Sequence, residues 1–191
     1  MIYLIAGLII FLGMHVFTIF REARNQAIAR LGRNGYRAFF SLVSLLGLAL
    51  MIYGFHSYRA AGYVQVWDPP LMLRHIALIF NLPVFVLLAA AYLPGRIQKT
   101  LKHPMIAAIK FWAIAHLLAN GDLGSILLFG GFLVWAVLAR IAAKRREAVE
   151  GAPYRSGPLR NDLLAILIGL TLYLAFFEYL HGVLIGIPIM S

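Results

Sequence analysis

Six apolar runs, each close to the length of a bilayer crossing, alternate with short polar connections along this chain. About 20 apolar residues span a bilayer. The pattern predicts spans over 2–20, 38–57, 71–93, 104–119, 122–140 and 162–186. The connection REARNQAIARLGRNGYR predicts a short surface helix ended by Gly32 or Gly35. The Trp67-Asp68-Pro69-Pro70 run suits an interfacial turn into the third span, which Pro94-Gly95 then breaks. RIQKTLKH is read as a basic loop, and 141–160 as a longer, mobile polar one. Asn120-Gly121-Asp122 is a tight turn in which Asp122 caps the fifth span. Ser41, Ser44, Gly47 and Gly54 make a small-residue edge for close helix contact on the second span. The expected fold is therefore all-α: a polytopic membrane bundle of six transmembrane helices in a single domain, 1–191.

Composition agrees. The chain is 62% hydrophobic, against roughly 45–50% in soluble domains. The start, MIYLIAGLIIFLGMH, lacks a basic leader and a small-x-small cleavage site, so it reads as a retained first helix. The net charge of +10 does not point to nucleic acid, because the cations are segregated. Fourteen of the 17 Lys and Arg residues fall in the connections after spans one, three and five. Only Arg59 and Arg74 lie on the opposite side, and Lys110 lies within a span. The positive-inside rule then puts the basic loops in the cytoplasm and both termini in the periplasm. The bilayer itself is the first expected partner. With no cysteine, thiolate metal sites, iron–sulfur clusters and covalent haem attachment are excluded. Phosphate-binding glycine loops and the Gly-x-Ser-x-Gly and His-Glu-x-x-His motifs are absent too.

What remains is six histidines in or beside lipid, where an ionisable group is costly and faces a bundle interior. His116 shares a helical stripe with Trp112 and Asn120. His15 lies among Leu8, Phe11, Leu12 and Ile19 and requires a partner. Arg74-His75 sits at the outer end of span three, and His181 lies one turn from Glu178. His56 suits a wet helix end, and His103 a cap or lipid-headgroup contact at an inner helix start. Each also has a plain structural reading: an interhelical hydrogen bond for His116, a hydrogen-bonded core residue for His15, a solvated interfacial residue for His75 and a self-satisfied pair with Glu178 for His181. The stripe Gly124, Leu128, Gly131, Trp135 is read as packing.

Gly13-Met14-His15, Arg21, LGRNGYRAFFSLVSLLGL, VWDPPLMLRH, KHPMIAAIKFWAIAHLLANGDLGSILLFGGFLVWAV and LHGVLIGIP together resemble the NnrU family of membrane proteins over nearly the whole chain. The family was named for a link to nitrite and nitric oxide reduction, and it is similar to zeta-carotene isomerase, a b-haem membrane enzyme. That resemblance implies a bacterial cytoplasmic-membrane protein with haem b as cofactor. It also implies His15 and His116 as metal ligands and Trp112 as part of the haem wall. Where the isomerase has a cysteine three residues before its second ligand, this chain has Ala113, so ligand exchange on a thiol is absent. Counting depth along the spans keeps His75 as a rival to His15, with Arg74 beside a propionate. The expected role is redox or isomerisation chemistry on a membrane-soluble or small gaseous molecule. The alternatives are a non-catalytic assembly factor for a respiratory metalloenzyme partner and a membrane thiol methyltransferase.

Overall fold

The computed structural model describes residues 1–151 and 157–185, with side chains up to Val183. Its helices are α1 (Ile2–Phe17), α2 (Arg21–Ala60), α3 (Leu71–Tyr92), α4 (Arg96–Leu101), α5 (Pro104–Ala119), α6 (Leu123–Glu150), α7 (Leu159–Ala175) and α8 (His181–Ile185). A π-turn, Phe176–Leu180, joins the last two. Four helical segments are long and apolar enough to cross a membrane: α2, α3, α6 and Leu159–Val183. The apolar helices α1 and α5 are shorter, at 16 residues each. The end of the expected sixth span, residue 186, lies outside the described residues.

The helices pack in the order α2, α1, α6, α5, α3, α7, so α6 stands between α1 and α5. Lipid tails are as apolar as leucine, so close packing rather than water exclusion must hold such helices together. Glycine provides the approach. A β-carbon on Gly47 would lie 2.7 Å from the Phe11 amide nitrogen, and one on Gly7 would lie 2.8 Å from the Gly47 carbonyl oxygen. Leu4, Leu8 and Met51 form the α1–α2 core, with Leu128 and Phe132 of α6 laid against it. Val84, Leu87 and Ala108 form a second core between α3 and α5, which Trp112 joins.

Three expectations are refined or corrected. The surface helix after α1 does end at Gly32, whose φ of 71° and ψ of 162° interrupt α2. The RIQKTLKH stretch is not all loop: Arg96–Leu101 is helical. Buried Asp162 of α7 accepts from the Arg96 and Ile97 amides at 2.9 and 3.0 Å, which holds that short helix in place. The basic stretch after residue 140 is also helical, for α6 runs on to Glu150 and stops at Gly151, with φ of 79°. Its residues are mostly good helix formers. Glu147 also ties this extension to the start of α5. It accepts from Lys102 Nζ at 2.8 Å, His103 Nε2 at 2.8 Å and Arg140 Nη1 at 3.0 Å, and Arg21 pairs with Glu150.

This cluster predicts acid sensitivity. The Lys102 hydrogen bond, more than any other contact, holds the Glu147 carboxyl down at about 2. Its contribution is complete above 4.5 and is lost as pH falls towards 2. Burial lowers the His103 pKa below 6.5 against the opposing pull of Glu147. The unfolded chain therefore binds more protons in the window just below 6.5, and stability falls on acidification there. The melting temperature in detergent should drop between pH 7 and pH 5, and His103→Gln should flatten that drop. An unchanged pH profile in the variant would refute the assignment.

Candidate functional site

Where α5 meets α6 the Asn120-Gly121-Asp122 turn is built as a latch. Asp122 caps α6, accepting from Ser125 N at 3.0 Å and Ser125 Oγ at 2.6 Å. Segment 61–70 folds over the turn: Val66 N donates to Gly121 O at 2.9 Å, and Leu123 N to Val64 O at 2.9 Å. Tyr58 packs on Gly124 and accepts from Val64 N at 2.9 Å. This most distinctive motif of the chain thus has a structural task. The candidate histidines lie one and more turns away from it.

His116 is one turn before Asn120 on α5. Its Nδ1 lies 2.8 Å from the Trp112 carbonyl oxygen, and its ring stacks on Phe129 of α6 at 4.3 Å. Trp112 closes the other side at 5.2 Å. His15 repeats the device on α1. Its Nδ1 lies 2.7 Å from the Phe11 carbonyl oxygen, and its ring stacks on Phe11 at 4.2 Å. Phe40 of α2 and Trp135 of α6 complete its surround at 5.2 and 5.7 Å. A carbonyl only accepts, so in both residues Nδ1 carries the proton. The lone pair of the neutral imidazole then sits on Nε2. Fixing one ring nitrogen this way is how a protein orients an imidazole for a metal or a proton acceptor role.

Phe129, Phe132 and Trp135 recur at intervals of three along α6 and join the two histidines. Trp112 touches Phe129 at 4.9 Å and Phe132 at 5.3 Å, and Phe132 reaches Phe11 at 5.6 Å. His116 and His15 therefore belong to one continuous run of rings. His116 meets α6 at Phe129 and His15 meets it at Trp135, six residues on, which is about 9 Å further along that helix at 1.5 Å per residue. Two ligands of one iron need nitrogens about 4 Å apart, given bonds near 2 Å.

The remaining candidates lie apart. Arg74 and His75 are exposed on the first turn of α3, and His56 is exposed near the end of α2. His103 belongs to the Glu147 cluster. His181 follows the π-turn, with Phe176 at 6.2 Å. Among the described residues no group of three or more His, Asp or Glu side chains is close enough to hold a bare metal ion. The Gly124, Leu128, Gly131 stripe does pack, against Tyr58 and the α1 leucines. Trp135 in the same stripe belongs to the His15 site. The signal that finds it is the three-residue recurrence of aromatics on α6, not the glycine spacing.

An apolar cleft of about 450 Å³ opens between α1 and α6. Leu12 and Val16 line one wall, and Gly130, Gly131 and Trp135 the other. His15 lies beside it, between Leu12 and Val16 in sequence and against the Trp135 ring. The buried Trp135 indole N–H has no hydrogen-bond partner among the described residues.

Against known proteins, a family model described as NnrU protein matches residues 3–189. No curated protein and no solved structure matches the chain.

Proposed function

For a chain that belongs to the NnrU family, we propose a multi-pass protein of the bacterial inner membrane with six spans and periplasmic termini. It binds b-type haem and serves redox or isomerisation chemistry on a small gaseous or membrane-soluble molecule, within nitrogen-oxide metabolism. Segregated cations support the orientation, and α1 and α5, about 24 Å long at 1.5 Å per residue, cross with local thinning of the bilayer.

One observation carries the haem reading: two imidazoles are held identically by their Nδ1 atoms, each leaving Nε2 as a donor to a metal. The residues around His15 fit the group. They offer an apolar cleft, a glycine wall and aromatic rings. A haem bound there would supply one-electron chemistry and an open coordination position. The chain's own part is to fix the imidazole through the Phe11 carbonyl, to shield it with Phe11, Phe40 and Trp135, and to keep water out. The 9 Å offset (about six residues of α6) argues for one protein ligand rather than a His15–His116 pair.

The test is the absorption spectrum of protein purified from cells supplied with haem. A Soret band that shifts with carbon monoxide is expected. It should vanish in His15→Ala and persist in His116→Ala and His75→Ala. A colourless, folded protein would refute haem binding. Loss of the band in both His15→Ala and His116→Ala would restore the paired ligands and refute the single-ligand reading.

A further inference from the structure

A second cleft, of about 230 Å³, lies at the basic end of α1 and α2. Thr18, Arg24, Tyr36, Arg37, Phe40 and Ser41 line it. The break at Gly32 makes it, because it turns the first segment of α2 back on the second. The Arg24 guanidinium then sits over the Tyr36 ring at 5.9 Å. Two cations line this space and no carboxylate does. Tyr36 is only 6% exposed, and its hydroxyl is sealed without a hydrogen-bond partner among the described residues. Ser44 Oγ, two turns further along α2, is in the same condition. Buried hydroxyls are normally paired, and an orphan beside a cleft signals a missing acceptor. Guanidinium forks match the two oxygens of a carboxylate or phosphate. Exposed Phe39 and Leu42 continue the α2 surface as an apolar face.

We propose that this cleft binds the oxyanion head, phosphate or carboxylate, of an amphipathic molecule whose apolar body stays in the lipid. Arg24 and Arg37 pair with the head, and the Tyr36 hydroxyl donates to it. The site is independent of haem ligation by His15, although a carboxylate-bearing cofactor is one source of such a head and an anionic phospholipid the other.

The purified protein is titrated with phosphatidylglycerol and with phosphatidylcholine of matched chains, followed by native mass spectrometry. It is titrated separately with haem and with haem dimethyl ester, followed by tryptophan quenching. At least one anion should bind roughly tenfold tighter than its neutral counterpart. Preference in the first pair identifies a lipid phosphate, and in the second pair a carboxylate. Arg24→Gln with Arg37→Gln should abolish the preference. Arg24→Lys with Arg37→Lys, which keeps the charge and so protects folding, should weaken it. Tyr36→Phe should lower the affinity several-fold while leaving the unliganded melting temperature equal or higher, because it removes an orphan hydroxyl. No preference in either pair, or a preference that survives the double Gln variant, overturns the proposal. It does so whether or not the Soret band is present.

Discussion

Gly121→Ala is expected to lower stability by at least about 3 kcal/mol and to cut the yield of folded protein several-fold. The place a β-carbon would take is already occupied by the carbonyl oxygen of Trp67, with its carbonyl carbon 2.8 Å away. Both are backbone atoms held from two sides. Val66 N and Trp67 N donate to Gly121 O at 2.9 and 3.2 Å, and Leu123 N donates to Val64 O. The clash therefore cannot be relieved by turning a side chain. It must lift segment 61–70 off the turn, which breaks those bonds and uncovers Asp122, 3% exposed in the fold. Thermal unfolding in detergent checks this, with Gly130→Ala as control. A β-carbon at Gly130 meets nothing within 4 Å. Equal melting temperatures for the two variants would show that the latch is not a structural constraint.

Gly54→Ala is expected to cost about 2–4 kcal/mol and to loosen α1 from α2. Its β-carbon would run into the Leu4 amide nitrogen, with Tyr3 C at 2.6 Å and Leu4 Cα at 2.7 Å. The effect should reach the far end of the helix pair. Both Phe40, beside His15, and the cleft at Tyr36 depend on the α1–α2 approach that Gly7, Gly47 and Gly54 permit. Hydrogen exchange should therefore rise along α1 as far as His15, and the Soret band of any haem-loaded protein should weaken. Faster exchange confined to the first turn of α1 would show that the two ends are not coupled.

Helices and their limits were legible where a local rule applies. Pro70, Pro94-Gly95 and Pro104 bound α3 and α5 within about a residue or two. Asp122 caps α6 because an acidic side chain just ahead of a helix meets free amides whatever surrounds it. Gly47 and Gly54 were marked as contact points because only small side chains let membrane helices touch. The continuation of α6 through the basic stretch was not legible as a fold element. Its polarity resembles a loop, and the partners that fix it, Lys102 and His103, are more than 40 residues away. The helix at Arg96–Leu101 was hidden for the same reason, since its capping carboxylate, Asp162, belongs to α7.

At the candidate site the sequence by itself determined which histidines had to be held by a partner. Imidazoles in apolar helices must find partners, and Phe11 and Trp112 stand one turn earlier to supply their carbonyls, a purely local matter of helix pitch. It also determined membership of the NnrU family, through motifs spread along the whole chain. Only the tertiary structure decided which histidines share a space. Depth along a span is readable from residue counts, but rotation about the axis and sideways placement depend on which helices are neighbours. The chain puts α6 between α1 and α5, so His15 and His116 meet Trp135 and Phe129 of that helix.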